Sequence, residues 1–105
     1  MSAALDIRVL ELDDLTVVGL DGSLEGPSSG RVTDVVCGSL ARDVKTIVLD
    51  CSLLESLDAE ASAVLGSLAH EVQAHHGHLV MRQPSDQARV VLDLTGTSAV
   101  IEFGD

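Results

Sequence analysis

The chain opens with apolar runs that are separated by turn-forming residues. Residues 5–9 alternate apolar and polar side chains, and an apolar run follows at residues 15–20; both patterns are typical of β-strands. Asp13 and Asp14 lie between the two runs and favour a turn. The sequence therefore predicts an antiparallel hairpin.

The pattern changes after the hairpin. Residues 22–27 contain glycines and a proline and predict a loop. Either Ser28 or Ser29 then suits the N-cap of a first helix, because a serine hydroxyl accepts a hydrogen bond from a backbone N–H at a helix start. The expected inward face of this helix carries Val32, Val35, Val36 and Leu40.

A run of aliphatic and β-branched residues at 46–49 predicts a strand buried on both faces of a parallel sheet. The run ends at Asp50, and residues 51–57 are expected to form a loop. A second helix follows, with Asp58 as its N-cap and Gly77 as its C-terminal stop. Its inward face is marked by apolar residues at helical spacing: Ala61, Val64, Leu65, Leu68, Ala69 and Val72.

The remaining pattern predicts a short strand at residues 79–81, a third helix and a last strand at residues 99–103. The third helix opens at Pro84 and Ser85 and ends at Gly96. Its expected inward residues are Val91 and Leu92.

The predicted order of elements is β-β-α-β-α-β-α-β, which indicates a single α/β domain over residues 1–105. Strands that alternate with helices pair in parallel through right-handed crossovers, so we expect a mixed, mostly parallel sheet of about five strands with helices packed against it. Functional surfaces of such sheets lie at the carboxyl ends of the strands. Two predicted loops at that edge, residues 21–29 and 50–62, are the candidate sites.

Composition narrows the class of partner. The 105 residues include 17 Asp and Glu but 6 Lys and Arg, which gives a formal charge of −11, and Phe103 is the only aromatic residue. Nucleic acids and anionic membranes attract basic surfaces, so we exclude both as partners. The chain has no apolar run of membrane-spanning length and no signal sequence at its start, so we expect a cytoplasmic protein.

Reactive side chains give little sign of catalysis. No nucleophile, base and orienting group have convincing spacing, and no glycine-rich phosphate loop is present, so we expect neither an enzyme nor a bound cofactor or metal. Cys37 and Cys51 are expected to be buried or half-buried thiols, with Cys51 near the candidate surface and open to oxidation between chains. Four histidines without zinc spacing are better explained by their place near a helix end: His70, His75, His76 and His78.

Several segments resemble the STAS domain, the anti-sigma factor antagonist family. Residues 46–61 resemble its central motif, in which an aliphatic strand ends in Asp-Leu-Ser and Asp-Ser-Ser-Gly opens a helix. Residues 20–25 are similar to its Gly-Glu-Leu-Asp loop, with Glu25 in place of the Asp. Residues 77–81 and 91–96 are similar to its glycine-strand and leucine-threonine-glycine segments. The order of the segments extends the resemblance to nearly the whole chain.

The resemblance implies a regulatory function in bacteria. A stand-alone antagonist of this family binds an anti-sigma factor, usually a serine kinase, and so frees a sigma factor for transcription. Phosphorylation of the first serine after the motif Asp blocks that binding, because it adds charge and bulk at the contact surface. The implied contact surface of this chain centres on residues 58–62, with Glu25 beside it. Here Ala59 occupies the phosphoacceptor position and Glu60 that of the second serine.

Two hypotheses follow from the missing serine. Either the protein is an antagonist that phosphorylation at Ala59 cannot turn off, or Glu60 supplies a permanent charge that mimics phosphate. We favour the first, because a carboxylate copies phosphate poorly and Glu60 is displaced by one residue. Ser62 and Ser56 are candidate substitutes for the phosphoacceptor. A further alternative is a non-catalytic scaffold or subunit of a stress-signalling assembly, with other STAS proteins as partners.

Overall fold

The structure, a computed structural model, describes residues 4–104, and within them five strands and three α-helices form an α/β fold. The elements are β1 (Asp6–Glu11), β2 (Leu15–Leu24), α1 (Gly26–Ala41), β3 (Thr46–Leu57), α2 (Ala59–Ala74), β4 (His78–Arg82), α3 (Asp86–Leu94), a 3-10 turn (Thr97–Ala99) and β5 (Glu102–Gly104).

The five strands follow one another across the sheet in chain order. β1 and β2 form the antiparallel hairpin, which is closed by a hydrogen bond from Leu12 N–H to the Leu15 carbonyl oxygen (2.8 Å). All other neighbouring strands are parallel. The mixed five-stranded sheet predicted from the order of elements is therefore confirmed. No helix in the described range 4–104 has both the length and the apolar character needed to cross a bilayer.

The helices cover one face of the sheet. α1 and α2 pack against each other, and α3 contacts α2 and the end of β3. Ile47 and Leu49 of β3 point into this core and are buried, whereas Val48 between them is half-exposed. The prediction of a strand buried on both faces is wrong for this reason. The inward residues predicted for α1 and α2 do pack in or against the core.

Strand β3 is longer than the sequence pattern predicts. Residues 51–57 are not a loop, because β3 continues to Leu57 and pairs with β2 along its whole length. The pairing register shifts between Gly19 and Asp21 and again between Gly22 and Ser23 of β2, and at each shift β3 carries an extra residue. These bulges disrupt the alternation by which a strand is recognised in sequence.

Helix α1 begins earlier than predicted. β2 runs to Leu24, so the loop expected at residues 22–27 is absent, and Glu25 alone separates strand from helix. Ser28 and Ser29 lie inside the first turn and are not the N-cap. Glu25 holds that position, and its carbonyl oxygen accepts a hydrogen bond from Ser29 N–H (2.9 Å) while its N–H donates to Ser28 Oγ (3.1 Å).

The predicted start of helix α2 at Asp58 is confirmed, but its predicted stop at Gly77 is not. Asp58 is the N-cap, whereas the residue with left-handed backbone at the end of the helix is His76 (φ 62°) and not Gly77. Gly77 is needed for close approach instead, because a Cβ there would lie 2.5 Å from the Lys45 carbonyl oxygen.

Helix α3 lies across the carboxyl edge of the sheet, with Ser85 as its N-cap and Gly96 (φ 79°) after its end. Near its start, Gln87 Nε2 donates to the Leu57 carbonyl oxygen (3.4 Å), and directly after its end Thr95 contacts the first turn of α2. The last strand is shorter than the predicted 99–103, because Thr97–Ala99 forms the 3-10 turn and pairing begins at Glu102.

Candidate functional site

The candidate site lies where β2 and β3 end together. Leu24 and Leu57 are paired in register, and each strand leads within one residue into a helix. Asp58 N–H donates to the Leu24 carbonyl oxygen (3.2 Å), which extends the pairing to the last residue before α2. The N-terminal ends of α1 and α2 are therefore neighbours at the carboxyl edge of the sheet.

The carboxylate of Asp58 joins the two helix ends. Its Oδ1 accepts a hydrogen bond from Ala61 N–H of α2 (2.8 Å), and its Oδ2 accepts one from Gly26 N–H of α1 (3.1 Å). Helix N-termini carry N–H groups without intrahelical partners and a partial positive charge, and this single carboxylate accepts a hydrogen bond from one such group of each helix. Asp58 is thus a structural centre of the site.

Residue 59 is the first residue of α2 and is exposed. Ala59 therefore presents a methyl group to solvent at the position where the resemblance expects a phosphoacceptor. The backbone at this position is already fixed by the neighbouring Asp58 cap. Residue 59 therefore lies at a capped helix start, but as an alanine it has no hydroxyl group that could accept phosphate.

Glu60 lies against the start of the neighbouring helix. The Glu60 carboxylate occupies the space that a side chain at residue 26 would fill. Glu60 can therefore take this position only because residue 26 is glycine. Glu60 is exposed, and its negative charge lies near the N-terminal end of α1 as well as in the first turn of α2. We refer to the carboxyl-edge surface as the set formed by Glu25, Gly26, Asp58, Ala59 and Glu60.

Ser62 does not belong to that surface. Its side chain is 0% exposed, and its Oγ lies 2.7 Å from Thr95 Oγ1 and 3.3 Å from Thr97 Oγ1. Thr97 Oγ1 also donates to the Ser62 carbonyl oxygen (2.8 Å). The structure brings the other predicted contact residues together and places Ser62 beneath them, where a kinase cannot reach its hydroxyl in this fold.

Ser56, the other candidate phosphoacceptor, is half-buried in β3. Its Oγ donates to Ser23 Oγ (2.8 Å), and Ser23 is itself buried on β2. The hydroxyl therefore takes part in a cross-strand hydrogen bond. Transfer of a phosphoryl group to Ser56 requires this bond to break.

The two cysteines differ in accessibility. Cys51 is buried, and burial, with a smaller contribution from the Asp50 carboxylate, raises the pKa of its thiol to about 12. The expected oxidation between chains is wrong for Cys51, because its sulfur is inside the core. Cys37 is exposed, contrary to the expectation of burial, since it lies one residue beyond the inward Val36 and so on the outer side of α1.

His75, His78 and Asp50 have hydrogen-bond partners within the domain. His75 Nδ1 lies 2.9 Å from the Glu71 carbonyl oxygen at the end of α2, and His78 Nδ1 lies 2.7 Å from Glu102 Oε2. Ser52 N–H donates to Asp50 Oδ1 (3.0 Å), and this bond lowers the pKa of the Asp50 carboxyl. Across residues 4–104, no three or more His, Cys, Asp or Glu side chains are arranged to hold a metal ion.

Two residues of the site are missing from the sequence interpretation. Gly26 donates its N–H to Asp58 and, having no side chain, leaves room for the Glu60 carboxylate. Thr95 forms a hydrogen bond with the buried Ser62. Pro27 is the available signal for Gly26, because proline favours the first turn of a helix and so indicates a helix start before Ser28. No local signal marks the contact of Thr95, which depends on how α3 packs.

Comparison with known proteins identifies the family. The sequence matches the model of the STAS domain over residues 6–105, and no curated protein sequence matches it. The fold is similar to that of TM1081 from Thermotoga maritima, with a TM-score of 0.81 and 19% identity over 94% of this chain and 86% of that one.

Two further solved structures are described as anti-sigma factor antagonists. One, from Mycobacterium paratuberculosis, has a TM-score of 0.76 and 20% identity over 95% of this chain and 85% of that one. The other, Bacillus SpoIIAA in its unphosphorylated form, has a TM-score of 0.74 and 17% identity over 97% of this chain and 88% of that one. At these identities the likeness shows the fold.

Proposed function

Because the chain belongs to the STAS domain family, we propose that it is a non-enzymatic module that binds an anti-sigma factor and thereby releases a sigma factor for transcription. The observation that carries the proposal is the carboxyl-edge surface. The Asp58 carboxylate joins the starts of α1 and α2 there, and Ala59, which the resemblance aligns with the phosphoacceptor of the family, is exposed beside it.

We further propose that phosphorylation at the usual site does not switch this binding. A methyl group accepts no phosphoryl group, and Glu60 lies against Gly26 rather than at residue 59. The position of Glu60 favours a constitutive antagonist over a phosphate mimic. The environments of Ser62 and Ser56 count against phosphorylation at a substitute serine.

The alternative of a scaffold that never binds an anti-sigma factor predicts a different partner. Co-purification from cell extract distinguishes the two, because an antagonist recovers an anti-sigma factor, whereas a scaffold recovers other STAS proteins alone. Recovery of STAS proteins alone contradicts the proposal.

A pair of variants on one helix tests the contact surface. Ala59 and Ala74 are exposed residues at opposite ends of α2. In calorimetric titration with the recovered anti-sigma factor, we expect Ala59→Arg to weaken binding at least about tenfold, because the new side chain obstructs the contact. Ala74→Arg is the matched control and leaves the affinity unchanged. Equal effects of the two variants would exclude this surface.

A further inference from the structure

Helix α3 exposes two aliphatic side chains on its outer face. Leu94 is 82% exposed, the highest value among the exposed large apolar side chains of residues 4–104, and Val90 is 56% exposed. Residues four apart lie on the same side of a helix, so Leu94 and Val90 form one patch. The two side chains contribute little to the core on which α3 packs through Ala88 and Leu92.

This patch lies at the end of α3, which contacts the turn of α2 that carries Ala59 of the carboxyl-edge surface. Thr95 directly follows Leu94, and its Oγ1 lies 2.7 Å from Ser62 Oγ in the first turn of α2. Ala63, one residue further along α2, is exposed and borders with Thr95 a shallow groove of about 240 Å³. The end of α3 is thus adjacent to the turn of α2 that begins at Ala59.

Acidic side chains border the patch. Asp86 lies one turn before Val90 on the same side of α3, and Asp93 directly precedes Leu94; both are exposed. The cation of this helix, Arg89, has its guanidinium 4.3 Å from the centroid of the Phe103 ring. The two carboxylates combine an apolar centre with a negative border, which is complementary to a basic surface.

We infer that Leu94, assisted by Val90, is the apolar anchor through which this chain binds its protein partner. The complementary surface of that partner is an aliphatic pocket bordered by lysine or arginine side chains. The inference rests on the proposed function, in which the partner is an anti-sigma factor. It adds Leu94 and Val90 of α3 to the contact surface at the start of α2.

The experiment measures affinity for the recovered anti-sigma factor by calorimetry, using the full chain and three variants. We expect Leu94→Ser to weaken binding at least about tenfold, because it removes an aliphatic side chain that becomes buried in the complex. Leu94→Met retains an apolar side chain and is expected to keep most of the affinity. Leu10→Ser is the control, since Leu10 is 57% exposed on β1 and pairs with Val17 on the uncovered face of the sheet.

The outcomes separate this inference from the proposal on which it rests. If the wild-type chain fails to bind the anti-sigma factor, both are wrong. If the wild type binds and Leu94→Ser binds equally well, the proposed function stands and the anchor is refuted. Equal losses in Leu94→Ser and Leu10→Ser also refute it, because they indicate a general effect of removing surface leucines. Denaturation curves for each variant establish that Leu94→Ser folds like the wild type.

The acidic border is tested by salt. The affinity of the wild type is expected to fall as ionic strength rises, and Asp86→Asn is expected to reduce that dependence by removing one charge from the border. A salt dependence that is unchanged in Asp86→Asn contradicts a basic rim on the partner at this position.

Discussion

Asp58 accepts a hydrogen bond from the backbone N–H of Gly26, a residue 32 positions earlier in the chain (3.1 Å). The same carboxylate caps its own helix through Ala61 N–H (2.8 Å). One side chain thus aligns the ends of two helices that come from different crossovers of the sheet. This alignment, rather than any catalytic group, creates the carboxyl-edge surface.

We predict that Asp58→Ala destabilises the domain more than loss of an ordinary N-cap. The variant loses two charge-assisted hydrogen bonds, which is expected to cost about 2–3 kcal/mol of unfolding free energy. Ser85 is the matched control, because it caps α3 by a single bond to Ala88 N–H (3.1 Å), and Ser85→Ala is expected to cost about 1 kcal/mol. Urea denaturation measures both, and equal losses would show that the bond to Gly26 contributes nothing.

Restoring the missing hydroxyl is expected to restore the switch. In Ala59→Ser, the new hydroxyl lies at an exposed helix start, and incubation with the anti-sigma kinase and ATP should add one phosphoryl group to the intact protein. The wild type should gain none, since Ser62 is buried. Mass spectrometry of the two proteins is the measurement. Phosphorylation of the wild type would overturn the assignment of a constitutive binder.

The buried thiol predicts a loss of stability in alkali. Folding raises the pKa of Cys51 from an ordinary 9.0 to about 12, so above pH 9 the unfolded chain releases a proton that the folded chain keeps. Stability is therefore full below pH 9 and falls by about 1.4 kcal/mol per pH unit as the pH rises from there. The slope of unfolding free energy between pH 9 and 10.5 should be shallower by about that amount in Cys51→Ala. Parallel slopes would contradict the burial of this thiol.

Two glycines are expected to respond to alanine in opposite directions. Gly30 lies within α1 with open space around it, so Gly30→Ala should stabilise the domain by about 0.5–1 kcal/mol. Gly77→Ala brings a Cβ to 2.5 Å from the Lys45 carbonyl oxygen and 3.0 Å from Val72 Cγ1, and should destabilise it by about 1–3 kcal/mol. Thermal unfolding of the two variants provides the comparison. If Gly77→Ala is as stable as the wild type, the backbone at residues 45 and 77 can move apart to admit the methyl group.

The order and type of the elements follow from periodicity, because the helices and the strands β2, β3 and β4 each bury one face in a core that the pattern already marks. The start of α2 is equally local, since Asp58 bonds to a backbone group three residues away. The extension of β3 to Leu57 is different. It depends on pairing with β2 through two register shifts, and these shifts remove the alternation on which a strand prediction relies.

In the candidate site, too, local features could be predicted from the sequence and long-range packing could not. The resemblance to the STAS family implies that Ala59 and Glu60 lie on the contact surface, and both side chains are exposed. Ser62 was predicted there too, yet the packing of α3 covers it with Thr95. Which side of α2 is covered by α3 is a long-range property, so no pattern within the first turn of α2 could predict it.

The separation of Asp58 from residue 59 has a consequence for how such a regulator can evolve. The hydrogen bonds that align α1 and α2 run through Asp58 and backbone N–H groups, and residue 59 contributes only its exposed side chain. Under the proposed function, the groups that align the helices and the position that would carry phosphate control are therefore adjacent but separate. A substitution at residue 59 would then add or remove phosphate control while the hydrogen bonds of Asp58 stay in place.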